Sequence, residues 1–108
     1  MEQLLPIYNT ENIPGQKYEL IGLVKGSMIQ SKHLGRDIGN VLKSVVGGEL
    51  RGYSEMLNEA RAIATKRMIQ EAQALNADAV VNLRYTTSAV MQGAAEILVY
   101  GTAVKYMV

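Results

Sequence analysis

The 108-residue chain contains no cysteine and only one histidine. Without cysteine it cannot form a disulfide bond, a thiolate metal site or a cysteine nucleophile. With one histidine it cannot build a multi-histidine metal site within one subunit. These absences remove the ligands that soft metals prefer and one class of covalent catalyst.

An excess of charge of one sign is absent as well. Eleven Lys and Arg residues against ten Asp and Glu residues give a net charge of +1. This balance gives no electrostatic footprint for nucleic acid or for an anionic membrane surface. No window reaches the roughly 18–20 apolar residues that span a bilayer, and residues 1–8 lack the features of a signal peptide. We therefore expect a cytoplasmic protein that binds neither nucleic acid nor membrane.

Hydrophobic residues make up 48% of the chain, which is enough for a packed core. The length predicts a single domain over residues 1–108. A domain of this size has a large surface for its volume, which favours oligomerisation. The sequence therefore indicates more about subunit assembly than about a catalytic or binding activity.

The clearest element is a long helix predicted over residues 54–75. Ser54 is a suitable N-cap, and Asn76 tolerates the positive φ that often follows a helix. One face carries an apolar stripe at helical spacing, made of Leu57, Ala60, Ala64, Met68, Ala72 and Leu75. The small alanine side chains of this stripe allow the helix to approach a sheet closely.

Three runs have the composition of strands: residues 18–29, 79–88 and 94–106. The last two are close enough to form a hairpin. Residues 33–46 favour a short helix that starts near Asp37 and ends at Gly47 and Gly48. Residues 4–8 favour a short additional strand.

Six segments form an ordered pattern: GRDI at 35–38, VGGEL at 46–50, YSEML at 53–57, AR at 60–61, LNADAVV at 75–81 and YGTAV at 100–104. This ordered set resembles the YbjQ-like family of bacteria and archaea. Asn76 stands where the family usually has glycine. The resemblance implies an α+β fold: a two-layer, dodecin-like β-α-β-β subunit with an antiparallel sheet. It also implies a homo-pentameric ring and brings a heavy-metal-binding label without an established reaction. We expect the last strand to be central, with residues 18–29 along its other edge.

The ligand supply does not favour the metal-binding label. Beyond His33 the chain offers carboxylates, which suit hard cations, and six methionines that form no repeated metal motif. Met56 and Met68 have the spacing of core residues. A ring could place five copies of His33 around its axis, but a lone histidine is more often a surface or capping residue. We therefore expect no metal site, no cofactor, and no zinc or copper binding tighter than that of an ordinary protein surface.

An anion site is conceivable where the long helix begins. Gly47, Gly48 and Gly52 lie just before the predicted helix, and Arg51 is nearby. Backbone N–H groups at a helix N-terminus favour anions. The segment lacks the spacing of a phosphate-binding P-loop. Glu49 could act as a base only if burial raised its pKa. A plain connection between two helices is therefore the preferred interpretation.

Arg84 and Glu96 are charges inside apolar strand patterns, so each must face solvent, find a partner or face a subunit interface. With a hairpin loop over residues 88–93, the two lie nearly opposite each other. A cross-strand pair of this kind contributes about 0.2–1 kcal/mol. The alternative is that both line an inter-subunit cavity.

Three functional hypotheses remain. The preferred one is a non-enzymatic ring that holds a small ligand or anion at inter-subunit pockets containing Glu49, Arg51, Arg84 and Glu96. The others are a metal-binding protein and an enzyme with an inter-subunit carboxylate or arginine site. No catalytic residue is assigned. A three-stranded sheet leaves two unpaired edges that need cover, and residues 1–8 are suited to cross onto a neighbouring subunit and close a ring.

Overall fold

The computed structural model of the protein describes residues 5–31, 51–91 and 93–108. Its elements are β1 (Tyr18–Ser31), α1 (Arg51–Ala74), β2 (Ala79–Met91) and β3 (Ala94–Tyr106). The strands form one antiparallel sheet in the order β1-β3-β2, with α1 packed on one side. The predicted α+β architecture and the central position of the last strand are confirmed. The predicted short helix in residues 33–46 lies outside the described residues.

The apolar stripe of α1 forms the main core. Ala60, Ala64, Met68 and Ala72 are completely buried, whereas Leu57 is half-buried and Leu75 is exposed. Their partners on the sheet are Val24, Val80, Leu83, Ile97, Val99 and Ala103. Three of the four completely buried helix residues are alanines, so the helix axis can lie close to the strands. The helix lies mainly over β1 and β3, which leaves the same side of β2 less covered.

The end of α1 follows the geometry that the sequence predicts. Asn76 has a φ of 60°, in the left-handed region. Its N–H donates to the Gln73 carbonyl at 2.9 Å, and the N–H of Ala77 donates to the Ala72 carbonyl at 3.1 Å. This pair of bonds is a Schellman motif, which satisfies the last carbonyls of the helix.

The positive φ of Asn76 makes a testable prediction. Replacing Asn76 with glycine should leave stability unchanged or raise it slightly, because glycine adopts this φ without steric cost. Replacing it with alanine should lower stability by about 1 kcal/mol, because its Cβ is strained in the left-handed region. Denaturant unfolding of both variants checks the prediction, and equal stability of the two would contradict it.

The N-terminal segment pairs with the edge of β2 in the same chain. The Tyr8 N–H donates to the Val80 carbonyl at 2.8 Å, and the Val80 N–H donates to the Pro6 carbonyl at 3.0 Å. The Leu83 N–H donates to the Tyr8 carbonyl at 3.0 Å. The short strand predicted at residues 4–8 is thus reduced to one parallel bridge, between Ile7 and Val80.

This pairing corrects the expectation that residues 1–8 cross onto a neighbour. Residues 5–8 lie along their own subunit, because the open edge of β2 offers unpaired backbone groups directly beside them. Removing residues 5–8 would therefore expose the edge of β2, whatever its effect on contacts between subunits. The segment is part of the fold.

Candidate functional site

The structure does not gather the predicted site residues into one place. His33 and Glu49 lie outside the described residues. Arg51 is the first residue of α1, and its side chain is also outside the description. Arg84 and Glu96 are the two candidates whose surroundings are defined.

The predicted pair between Arg84 and Glu96 is wrong. In the observed register, Arg84 lies opposite Tyr100, and Glu96 lies opposite Ser88. The two positions on β3 are four residues apart, which is about 13 Å along a strand. β2 extends to Met91 and β3 begins at Ala94, so the strands pair within the range 88–93 that was expected to be a loop.

Arg84 instead binds the N-terminal segment. Its Nη1 donates to the Asn9 carbonyl at 2.9 Å and to the Leu83 carbonyl at 2.9 Å. The strand is irregular just before it, where the register shifts and Asn82 has a φ of 56°. The bulge redirects the strand, and the guanidinium then holds residues 6–10 against β2. Both protons of Nη1 are used in this way, whereas Nε and Nη2 retain donors for another group.

We call the side of the sheet that faces away from α1 the outer face. Away from the N-terminal segment, its side chains include Leu23, Lys25, Ile29, Arg84, Ser88, Glu96, Leu98 and Tyr100. Leu23 is 67% exposed and Ile29 is 60% exposed. Tyr100 lies between Lys25 on β1 and Arg84 on β2. The described residues therefore leave uncovered a mixed surface, on which Leu23 and Ile29 are exposed apolar side chains and two cations flank Tyr100.

The free edge of β1 is partly blocked by α1. The N–H of Lys25 donates to the Glu71 carboxylate at 2.9 Å. The carbonyl of Ser27 accepts a hydrogen bond from Arg67 Nη1 at 2.8 Å. Two backbone groups that a neighbouring strand would need are thus taken by helix side chains, which discourages simple edge-to-edge pairing at this point.

The other end of the outer face is covered by the N-terminal segment. Ala79, Val81 and Val104 are buried there beneath Tyr8, Ile13, Tyr18 and Tyr106. The Asp78 carboxylate accepts the Tyr106 N–H at 2.7 Å. Burial raises the pKa of the Tyr106 hydroxyl, and the nearby Tyr8 and Asp78 raise it further. This end of the outer face is therefore packed by side chains of the same subunit.

A second open surface lies on the helix side of the sheet, between α1 and β2. We call it the helix–β2 groove. It measures about 570 Å³, and its lining includes Leu5, Ile7, Arg61, Lys66, Ile69 and Tyr85. It exists because α1 lies mainly over β1 and β3. Sequence reasoning missed this groove, although Ala62, Thr65 and Ile69 follow a second helical spacing beside the main stripe.

Two hydrogen bonds link Arg61, Thr65 and Tyr85 along one side of the groove. The Thr65 hydroxyl donates to the Arg61 carbonyl at 2.7 Å. The Thr65 and Tyr85 hydroxyl oxygens are 2.8 Å apart. Because the Thr65 proton is already used, Tyr85 is the donor in this second bond. The Tyr85 oxygen is then left with lone pairs that can accept a further proton donor.

The described residues contain no group of three or more His, Asp or Glu side chains close enough to hold a metal ion. Met56 and Met68 are buried core residues, as their spacing predicts. His33 lies outside this part of the chain. In the described ranges, no helix is long and apolar enough to cross a membrane.

Comparison with known proteins places the chain among relatives along nearly its full length. A family model, YbjQ, described as "Putative heavy-metal-binding", matches residues 5–107. A UPF0145 protein of Clostridium novyi is 62% identical over 101 residues, which cover 94% of this chain and 98% of that relative. A UPF0145 protein of Thermotoga maritima is 56% identical over 100 residues, which cover 92% of this chain and 94% of that relative. These names state no reaction.

One solved structure supports the fold. The crystal structure of a DUF74-family protein of unknown function from Pediococcus pentosaceus matches with a TM-score of 0.66. The match covers 95% of this chain and 98% of that chain, at 16% sequence identity. At this identity the likeness concerns the fold alone, and it agrees with the α+β architecture described above.

Proposed function

Since the chain belongs to the YbjQ-like family, we propose that it is a non-enzymatic assembly protein. In this proposal it forms a homo-oligomeric ring that holds a small ligand or anion at pockets between subunits. The number of subunits, five, comes from the family resemblance. The observation that supports assembly is the uncovered outer face of the sheet.

Exposed apolar side chains on the outer face favour burial by a second copy. Leu23 and Ile29 are each more than half exposed on a surface that the described residues leave open. Covering such side chains is favourable at about 25 cal/mol for each Å² removed from water. An antiparallel sheet commonly packs one face against the core and exposes a polar face to water. The exposed Leu23 and Ile29 therefore favour contact with a partner.

The shape of the subunit favours head-to-tail contact. The outer face and the edge of β2 beyond Leu83 are two different surfaces, and within the described residues that edge has no strand partner. A contact between two different surfaces on successive copies repeats, and it closes into a ring when the rotation permits. Because the edge of β1 is partly blocked, we assign the contact to the outer face and the free edge of β2.

The cations of the outer face favour an anionic ligand. Lys25 and Arg84 flank Tyr100, and Arg84 retains donors on Nε and Nη2. If a neighbouring subunit excludes water from around Lys25, Tyr100 and Arg84, the attraction between the two cations and an anion becomes stronger. Glu96 lies farther along the same face, beside Ile29 and Ser88. In this proposal it faces the neighbouring copy.

Substitution on the outer face tests the assembly. The Leu23→Glu and Ile29→Glu variants should dissociate into monomers or small species at micromolar concentration, because each places a charge inside the proposed interface. The folded subunit should survive, because both side chains are exposed in it. Native mass spectrometry and light scattering measure the assembly, and circular dichroism measures the fold.

The matched control is Asn12→Glu, which adds the same charge at an exposed position outside the outer face. It should leave the mass of the assembly unchanged. A parent protein with the mass of one subunit at all concentrations would refute the ring. A stable ring of another size would refute only the number five. Outer-face variants that assemble like the parent would place the interface elsewhere.

A further inference from the structure

We propose that the helix–β2 groove is a binding site for an amphipathic anion, a small molecule with an apolar body and one acidic group. The groove lies within a single subunit, so its occupancy does not require the proposed ring. Its volume of about 570 Å³ falls within the roughly 300–1,000 Å³ typical of small-molecule sites.

The floor of the groove suits the apolar body. Leu5, Ile7 and Ile69 are half-buried and pack against the main core from the side. Ala62 is exposed on the helix and keeps the floor shallow beside them. Because these positions belong to α1 and to the paired N-terminal segment, the floor is formed before a ligand arrives. A preformed apolar surface lowers the entropic cost of binding.

The charges around the groove suit an acidic group. Arg61 and Lys66 both line it, and none of the described lining residues is Asp or Glu. Arg61 is oriented by a hydrogen bond from its Nη1 to the Asn58 side-chain oxygen at 2.5 Å. Two cations without a local carboxylate attract an anion and disfavour a cationic ligand.

The hydroxyl chain adds a further constraint. Thr65 donates to the Arg61 carbonyl and Tyr85 donates to Thr65, so the Tyr85 oxygen is available as an acceptor. A ligand N–H or O–H beside Tyr85 is therefore favoured. The site thus selects an apolar body, an anionic group near Arg61 and Lys66, and a proton donor near Tyr85.

Two matched dyes test this selection. 1-Anilinonaphthalene-8-sulfonate has an aromatic body, an N–H group and one sulfonate, and N-phenyl-1-naphthylamine is the same body without the sulfonate. In fluorescence titrations of the full chain, the sulfonate should bind at one site per subunit and about tenfold more tightly than the neutral dye. A tenfold ratio corresponds to about 1.4 kcal/mol, which two exposed ion pairs can supply. Higher salt should reduce the preference.

Variants assign the site. Arg61→Gln combined with Lys66→Gln should abolish the preference for the sulfonate while retaining binding of the neutral dye. Ala62→Asp should weaken sulfonate binding at least tenfold, because it places a carboxylate on the floor of the groove at an exposed helix position. Lys17→Gln, which removes an exposed charge elsewhere, should change neither affinity.

Three results would overturn the proposal: equal affinity for both dyes, an unchanged preference in the double variant, or several sulfonate sites per subunit. Native mass spectrometry of Ala62→Asp separates this site from the assembly. Loss of the oligomer in that variant would identify the groove as a subunit contact, which also refutes the ligand site. An Ala62→Asp protein that keeps the oligomer but loses sulfonate binding supports the ligand site. This conclusion does not depend on the results for Leu23→Glu and Ile29→Glu.

Discussion

The Ala64→Asp variant is expected not to fold. Ala64 is completely buried in α1, and the backbone at this point lies against Gly26 of β1. An aspartate here would bury a carboxylate without a partner, which costs several kcal/mol. A domain of this size has only about 5–15 kcal/mol of stability in total. Circular dichroism should show loss of the helical signal at 25 °C, and the protein should be recovered mainly in the insoluble fraction.

The same substitution two residues away is the control. Ala62→Asp changes an exposed position on the same helix and should preserve the helical signal and cooperative unfolding. Leu57→Asp should give an intermediate loss, because Leu57 is only half-buried. An Ala64→Asp protein that melts like the parent would show that the stripe of α1 does not form the core.

The Gly26→Ala variant is expected to lose about 3 kcal/mol of stability, at the upper end of the usual cost of overpacking. A Cβ atom at Gly26 would lie 2.2 Å from the Ala64 carbonyl oxygen and 2.5 Å from the Met68 backbone nitrogen. Both are backbone atoms, so no side-chain rotation can relieve the clash. The helix would have to move away from β1, which would weaken packing along the whole stripe.

Thermal unfolding measures this effect. For a domain of about 100 residues, the midpoint should fall by about 10–20 °C. Ser27→Ala is the matched control, because Ser27 is the next residue of β1 and already has a Cβ atom on the opposite side of the sheet. Its change should stay within about 0.5 kcal/mol. A Gly26→Ala protein that melts within a few degrees of the parent would contradict the close contact between α1 and β1.

Local patterns account for most of the correctly predicted fold. The helical spacing of Ala60, Ala64, Met68 and Ala72 predicts which face of α1 is buried, and the structure confirms it. The third strand, residues 94–106, has its predicted bounds. Asn76 was identifiable because few residues tolerate a positive φ. Backbone geometry determines these features over a few residues, so they can be read without knowledge of the fold.

The candidate sites depend on contacts that the sequence does not reveal. Arg84 and Glu96 were correctly singled out as charges in apolar strands, but their pairing was wrong because a turn and a bulge determine register. A shift of one residue reverses the face of every side chain that follows. The bond from Arg84 to Asn9 joins residues 75 apart, and no local pattern encodes it.

The sequence by itself determined the elements of this protein, the buried face of its helix, its family and the absence of cysteine ligands. The tertiary structure decided where those elements meet. It placed α1 over β1 and β3, because Gly26 lets the helix backbone approach the sheet there. The helix–β2 groove and the uncovered outer face both follow from that placement. Periodicity is a property of neighbouring residues, whereas open surfaces arise from the packing of distant ones.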